Sequence, residues 1–443
     1  MKAFNPLIFV AVFGFATFHA WGNEPTGTWV KKAALNVQEE VVRLRRQIHQ
    51  HPELGNQEFE TAKLVAEELR KYGIEVRTGV ARTGVIGVLK GGMPGPVMGL
   101  RADMDALPMP EQTGLPFASK AKAMYQGKES AVMHACGHDT HTAMLLGAAR
   151  LLAEHREEIA GTVVFIFQPA EEGGADIDNF AQGAEVGARK MIAEGVLNDP
   201  KIEVMFGLHV IAGIPSGELR YRPGAIMNSA DGLRIKLNGT QAHGSMPWKS
   251  NDPIVASAQV INGMQTLVSR RADLTKGMAV VSVGSIHAGT APNSIPQDLE
   301  MLGTIRTSNN DVRKTVLGDL PGMVSKIAEA NGVKPEVELS EYAPVLVNDP
   351  TLTEGMIPAL RRASDGKASL LETSFSASED FAHYASRVPS LFVLLGATTP
   401  GQDMAKAPIN HSPFFTVDET TFSTGVRAHV EFVLAYPAFA KAR

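Results

Sequence analysis

The sequence predicts an α/β fold: a domain on a largely parallel mixed sheet, into which a smaller βαββαβ unit of ferredoxin-like order is inserted. Three observations carry this reading. At 443 residues the chain exceeds the usual size of one hydrophobic core. Apolar strand-like runs alternate with stretches of helical periodicity on both sides of the middle, as expected of strands joined by crossover helices. Between about 230 and 342 the alternation gives way to strand, helix, strand, strand, helix, strand.

In chain order, the stretch "VQEEVVRLRRQIHQHPELGNQEFETAKLVAEELRKYG" gives two amphipathic helices, broken by the His51-Pro52 corner and Gly55. The β-rich runs "GVIGVLKG" and "PVMGLRAD" follow, then a helix from about His141 to His155 and a strand at "TVVFIFQ". A helix from about Gly183 to Glu194 and the strand "VMFGLHV" complete the first part. The inserted unit has strands at 230–239, 278–287, 297–306 and 335–341, with helices at 252–270 and 310–331. Helices near 351–363 and 379–386, the strand "LFVLLGA" and a last helix from about Asp418 resume the first pattern. The expected domains are therefore 35–228 joined with 343–443, and 229–342.

Composition narrows the function classes. Apolar residues at 44% and charged residues at 20% are ordinary for a globular protein, and a net charge of -5 gives no basic field for nucleic acid. The N-terminus, "MKAFNPLIFVAVFGFATFHAWGNEP", has one lysine, an apolar run from Phe4 to about Phe18, and the small residues Ala20 and Gly22. That is the layout of a secretory signal peptide over 1–22, and the run is short of the roughly 20 residues that span a bilayer. The expectation is an exported protein, periplasmic or secreted, with no membrane attachment after cleavage.

Export makes the single cysteine, Cys136, conspicuous, because oxidising compartments pair cysteines. An intermolecular disulfide, an inert buried thiol, or a thiolate used as nucleophile or metal ligand would each account for it. Its neighbourhood, "MHACGHDTHT", adds His138 and His141 at short range, donors that suit a divalent transition metal. Spacing alone does not establish a site, since Gly137 leaves the local geometry open.

Other candidates lie at the ends of strand-like runs, where ligands bind in α/β sheets. "FQPAEEGG" places Glu171 and Glu172 side by side; neighbouring side chains diverge, so one can bind a cation while the other acts as general base, although such pairs are commonly solvated turns. His209 in "GLHV" and His411 in "NHSPFF" have the ordinary reading of a satisfied core or loop histidine beside the ligand reading. Asp103 and Asp105 close "LRADMDALP". There is no G-x-S-x-G elbow, Walker loop or dinucleotide fingerprint, and a Cys136 nucleophile would leave both glutamates without a role.

Taken together, "RADMDALP", "HACGHDTHTA", "FQPAEEG", "GLHV", "GTQAHGSMPW", "GTAPNSIPQ" and "NHSPFF" resemble the aminoacylase and carboxypeptidase group of metallopeptidases. The nearest branch is that of the hippurate hydrolases and plant indole-acetyl-amino-acid hydrolases, and the likeness runs from about residue 37 to the C-terminus. The resemblance implies a zinc-peptidase-like catalytic domain whose inserted unit is a lid and dimer interface. It implies two divalent ions, zinc or manganese with cobalt or nickel as further candidates, on Cys136, His138, Glu172, His209 and His411, Cys136 being shared. Glu171 matches the general base and Asp105 the aspartate that supports the metals; Asp103 stands where many relatives have a histidine, which leaves its role open. His243 and Asn293 match lid residues that approach the substrate, His243 often from the partner subunit.

The implied reaction is hydrolysis of an N-acyl amino acid or short peptide by metal-activated water. A dipeptidase, carboxypeptidase or deacetylase of the same group is the alternative. From another class, the competing reading is a non-catalytic binder of metal or an amino-acid conjugate.

Overall fold

The computed structural model describes residues 28–178, 180 and 186–443. The segment 1–22, read as a signal peptide, and the start of the helix expected from Gly183 lie outside the described residues.

Three helices open the described chain: α1 (Val30–Asn36), α2 (Gln38–Gln50) and α3 (Phe59–Lys71). In α2, Val41, Leu44 and Ile48 recur at helical spacing and form the buried stripe. Strands β1 (Glu75–Val80), β2 (Gly84–Lys90) and β3 (Met93–Asp103) follow, then a hairpin of β4 (Lys122–Tyr125) and β5 (Lys128–Ala131), helix α4 (His138–Glu154) and strand β6 (Ala160–Gln168). Next come α5 (Gly187–Ala193), β7 (Val204–Pro215), β8 (Leu219–Tyr221) and β9 (Gly224–Met227).

The middle of the chain comprises β10 (Ala230–Asn238), the two-residue β11 (Ala242–His243), α6 (Pro253–Thr266), β12 (Ala279–Ala288), the two-residue β13 (Ser294–Ile295), β14 (Asp298–Thr307), α7 (Asn310–Ala330) and β15 (Lys334–Ala343). The remainder is β16 (Leu346–Asn348), α8 (Pro350–Ala363), β17 (Ala368–Leu370), α9 (Ala382–Ala385), β18 (Ser390–Thr398) and α10 (Phe422–Lys441).

Eight strands form one mixed sheet in the order β1-β2-β6-β3-β7-β18-β8-β17. Its centre, β6-β3-β7-β18, is parallel throughout. These strands are covered on both faces, which is why their sequences are near-continuous apolar runs. Alternation sorts the side chains: Phe165, Phe206 and Val393 enter the core under α1–α4, α8 and α10, while Ile166, Met205 and Phe392 enter the core on the opposite face with α5 and α9.

The second sheet, β12-β14-β10-β15, is antiparallel, the strand order of a ferredoxin-like unit. Leu233, Ile235 and Leu237 of β10 pack with Val260 and Met264 of α6 and with Val316 and Leu320 of α7 in a core of their own. The intervening residues of β10 are polar, with Arg234 Nη1 2.9 Å from Glu338 Oε2. Among the described residues no helix is long and apolar enough to cross a membrane.

Two differences from the sequence reading bear on the site. Helix α4 begins at His138, three residues earlier than expected, so the histidine occupies the first helical position. The helix expected over 379–386 shrinks to α9, because Glu379 and Asp380 are drawn to a buried arginine instead. The strands β1, β4, β5, β8, β9, β11, β13, β16 and β17 were not anticipated; two to six residues at a sheet margin or in a two-stranded ribbon leave little periodicity to read.

Candidate metal centre and active site

Gly137 sets the geometry that spacing left open. It adopts φ +103°, and a Cβ there would lie 2.3 Å from Val210 Cγ2, so only glycine fits. The turn it makes starts α4 and sends both Cys136 and His138 to the same place.

Three imidazoles present the same nitrogen to that place. His138 Nδ1 lies 3.2 Å from Asp105 Oδ1, so Nδ1–H donates to the carboxylate, and Nε2 is buried without a hydrogen-bond partner. His209 Nδ1 donates to the Val210 carbonyl at 2.8 Å, which leaves Nε2 facing Cys136 Sγ at 3.3 Å. His411 Nε2 is 3.3 Å from the same sulfur and 2.8 Å from Glu172 Oε1. In His138 and His209 the outer nitrogen is held as in a metal-ligating histidine.

The donors fall into two triads that share the sulfur. Ligand atoms of Cys136, His138 and His209 lie within 4.8 Å of one another, as do those of Cys136, Glu172 and His411. A thiolate, imidazoles and a carboxylate with an orphaned buried nitrogen among them are a donor set that fits divalent metal.

The scaffold under these groups is specific. Asp105 accepts the backbone N–H groups of Glu171 at 3.0 Å and Glu172 at 2.8 Å, besides orienting His138. The preceding residue, Ala170, is left-handed at φ +51°, and its N–H is held by Glu58 Oε1 at 2.8 Å. His411 is left-handed too, at φ +67°, with its N–H on the Ala135 carbonyl at 2.8 Å. Asn410 pins that loop, donating to the carbonyls of Cys136 at 2.9 Å and Val210 at 3.0 Å. Strained backbone of this kind persists where surrounding contacts over-determine it.

Glu171 and Glu172 diverge. Glu172 turns to His411, whereas Glu171 Oε1 lies 3.3 Å from both the Asp380 N–H and the Tyr342 hydroxyl. Glu171 Oε2 faces the ligand set, 4.0 Å from His138 Nε2. Burial, with the carboxylates of Glu379, Glu172 and Asp380 behind it, pushes the Glu171 carboxyl well above its ordinary range. Burial and the charges of Glu172, Glu171 and Asp103 likewise push the Cys136 thiol up. His138 is pushed up to about 10, its burial outweighed by Asp103, Asp105 and Glu172. The cluster holds more negative charge than its side chains neutralise, and divalent cations correct that imbalance.

Asp103 and His141 have different work. Asp103 Oδ1 accepts from His141 Nδ1 at 2.6 Å and Oδ2 from Arg101 Nη1 at 2.7 Å, so both oxygens are engaged. His141 Nε2 in turn accepts the Val210 N–H at 2.8 Å, which makes it a satisfied core histidine. Arg101 is fully buried and also reaches Glu379 and Asp380, each at 2.9 Å, and Gln168 at 3.0 Å. A single guanidinium thus ties β3 to the segment whose backbone holds Glu171.

The cluster opens into a cavity of about 790 Å³ between the two sheets. Cys136, Glu171, Glu172, His209 and His411 line it on one side, and Thr304, Arg306, Ser340 and Tyr342 of the second sheet on the other. Ile211, Met227, Phe375 and Ile409 give it an apolar wall. Arg306 donates to Ser378 at 3.0 Å, and burial lowers its proton affinity against the opposing pull of Asp231.

Of the residues singled out from sequence, Cys136, His138, Glu171, Glu172, His209, His411 and Asp105 come together here. His243 and Asn293 do not line the cavity of their own chain. Both are exposed on the β11–β13 ribbon, where His243 pairs with Ser294 and Gly244 N–H bonds the Asn293 carbonyl at 2.8 Å. Arg101, Tyr342, Arg306, Glu379 and Asp380 escaped the sequence reading. The first lay inside "RADMD", where only the aspartates drew notice, and the acidic pair in "SASEDF" was the one signal for the last two.

Comparison with known proteins agrees with this geometry. The model of "Peptidase family M20/M25/M40" matches residues 99–435. Thermostable carboxypeptidase 2 of Saccharolobus solfataricus is 38% identical over 410 residues, covering 92% of this chain and 98% of the relative. N-acetylcysteine deacetylase of Bacillus subtilis is 38% identical over 395 residues, 89% of this chain and 96% of its own. The crystal structure of a dinuclear metal-binding peptidase of the M20 family, from Bacillus subtilis, superposes with a TM-score of 0.72 at 34% identity, covering 91% of this chain and 99% of that one. By its motifs, fold and match over most of its length, the chain belongs to peptidase family M20/M25/M40 and is a metal-dependent hydrolase acting on amide bonds.

Proposed function

We propose that the protein hydrolyses the amide bond of N-acyl amino acids, releasing an acid and an amino acid. The observation that carries this is the placement of Glu171 Oε2 against the donor cluster, at the mouth of a cavity that offers both an apolar wall and a guanidinium. Two divalent ions, zinc or manganese, fit the two triads, with Cys136 shared; the dinuclear relative supports the number. Bound there, they supply Lewis acidity, polarising the amide carbonyl and making water a nucleophile near neutral pH.

The chain's own groups do the rest. Glu171 Oε2 takes the proton of the attacking water and returns it to the amide nitrogen as the amine leaves. Arg306 receives the substrate carboxylate, and Ile211, Met227, Phe375 and Ile409 hold the acyl group. Carboxypeptidase action is the same chemistry with a peptide as the acyl part, and the 38% identical carboxypeptidase keeps it in view.

The test is amino-acid release from a panel of N-acetyl, N-benzoyl and indole-acetyl amino acids and short peptides, by wild-type protein and Glu171→Gln. Turnover that collapses in the variant is expected. Turnover undiminished in Glu171→Gln would contradict the assignment of the base.

The exposed ribbon supports a homodimer in which His243 and Asn293 of one subunit complete the site of the other. Trp248, 76% exposed, lies beside it with Met246, Ile254 and Val255, an apolar surface suited to burial. Mixed Glu171→Gln and His243→Ala subunits would then regain activity that each lacks alone, and no regain would place the ribbon's action within one chain. Export is proposed from the N-terminal run, and sequencing the N-terminus of the mature protein from the periplasm or medium checks cleavage near Gly22.

A further inference from the structure

We infer that Tyr342 is a positioning residue for the general base, and that through it the inserted sheet governs which oxygen of Glu171 faces the reaction. The inference rests on the proposal that Glu171 is the base.

Tyr342 lies on β15, the second sheet's last strand, with its hydroxyl on the wall of the cavity. That hydroxyl contacts the Glu171 backbone carbonyl and lies 3.3 Å from Oε1. The first sheet supplies the other donor to Oε1, the Asp380 N–H at 3.3 Å. The phenol's one proton is shared between that carbonyl and Oε1, so Oε1 is flanked by the phenol and the Asp380 N–H, and Oε2 is the atom left facing the ligand set, 4.0 Å from His138 Nε2. The main chain of Tyr342 is fixed as well: its carbonyl accepts from His383 Nε2 at 2.8 Å, three residues beyond Asp380.

A carboxylate without such anchoring can rotate, and either oxygen, or neither, then meets the water. The phenol removes that freedom only while β15 is docked. Proton transfer depends steeply on heavy-atom distance and direction. The second sheet thus does more than wall the cavity: through Tyr342 it helps to set the base.

The experiment is a double-mutant cycle on the best substrate of the panel, with Tyr342→Phe and Glu171→Asp, whose shortened carboxylate cannot meet the phenol. Loss of a hydrogen bond to a charged group lowers kcat by about 10- to 100-fold in Tyr342→Phe. KM is expected within about twofold, with metal content unchanged, as for a group acting on the base and not on the substrate. In the Glu171→Asp background the same change is expected to cost under about threefold.

Equal, additive losses in both backgrounds would overturn the inference, because Tyr342 would then act on the substrate or only on the fold. If Tyr342→Phe does not fold, His383→Leu, which frees the strand, is read in the same cycle, with a smaller loss expected in the wild-type background alone. A Glu171→Gln variant as active as wild type would sink the proposed base itself. Collapse of that variant beside an unimpaired Tyr342→Phe would sink only the role of Tyr342.

Discussion

Two regions hold the residues that the motifs bring to notice, and they are built in opposite ways. Around the ends of β3, β6 and β7 and the start of α4, Cys136, His138, Glu171 and His209 are buried, with Glu172 half-buried and His411 exposed at the rim, and the group is fixed by Asp105, Arg101 and Asn410. On the β11–β13 ribbon, His243 and Asn293 are exposed and held by a two-residue pairing and a turn. A site made by one sheet is preorganised before anything binds; a site completed by the ribbon has to be assembled. The contrast teaches where to expect loss of chemistry and where loss of fold.

The largest effect belongs to the buried side. Glu171→Gln keeps the shape but not the proton acceptor, and steady-state kinetics should show kcat lower by on the order of 10³-fold with metal content unchanged. Arg101→Met breaks the same region differently. It leaves Asp103, Glu379 and Asp380 buried without their cation, and urea unfolding should register about 3–5 kcal/mol of lost stability. Stability within about 1 kcal/mol of wild type would show that these carboxylates are neutral in the fold.

The ribbon sharpens the comparison from the other end. His243→Ala should lower kcat by about 10²-fold, as for the loss of one transition-state donor, while the melting temperature stays put because the ring is exposed. A large fall in melting temperature would erase the distinction between the regions. The smallest expected effect is on the supporting carboxylate: Asp105→Asn should weaken metal binding roughly 10- to 100-fold by competition titration against a chelating dye.

The layered α/β architecture and the inserted order were legible because long buried strands and amphipathic helices write strong periodicity. The candidate ligand residues were legible as short motifs, and the structure brings them together at strand ends, at the start of α4 and in the loop of His411. What was not legible depends on tertiary partners. Asp103 reads like Asp105 in "RADMD", and only the structure shows its oxygens paired with Arg101 and His141. Tyr342 and Arg306 reach the cavity from strands far along the chain, in a unit whose local pattern speaks only of its own core. For His243 the motif pointed to the substrate, but its place in a single chain does not.

The central claim is that Cys136, the only cysteine of the chain, is a metal-bound thiolate shared by two donor triads. Cobalt(II) titration of the chelator-treated protein tests it most directly, followed by near-ultraviolet absorption. The account predicts a sulfur-to-cobalt charge-transfer band that grows with the bound metal and is absent from Cys136→Ser. Cobalt bound tightly with no such band, and with Cys136 still open to a thiol reagent, would contradict it.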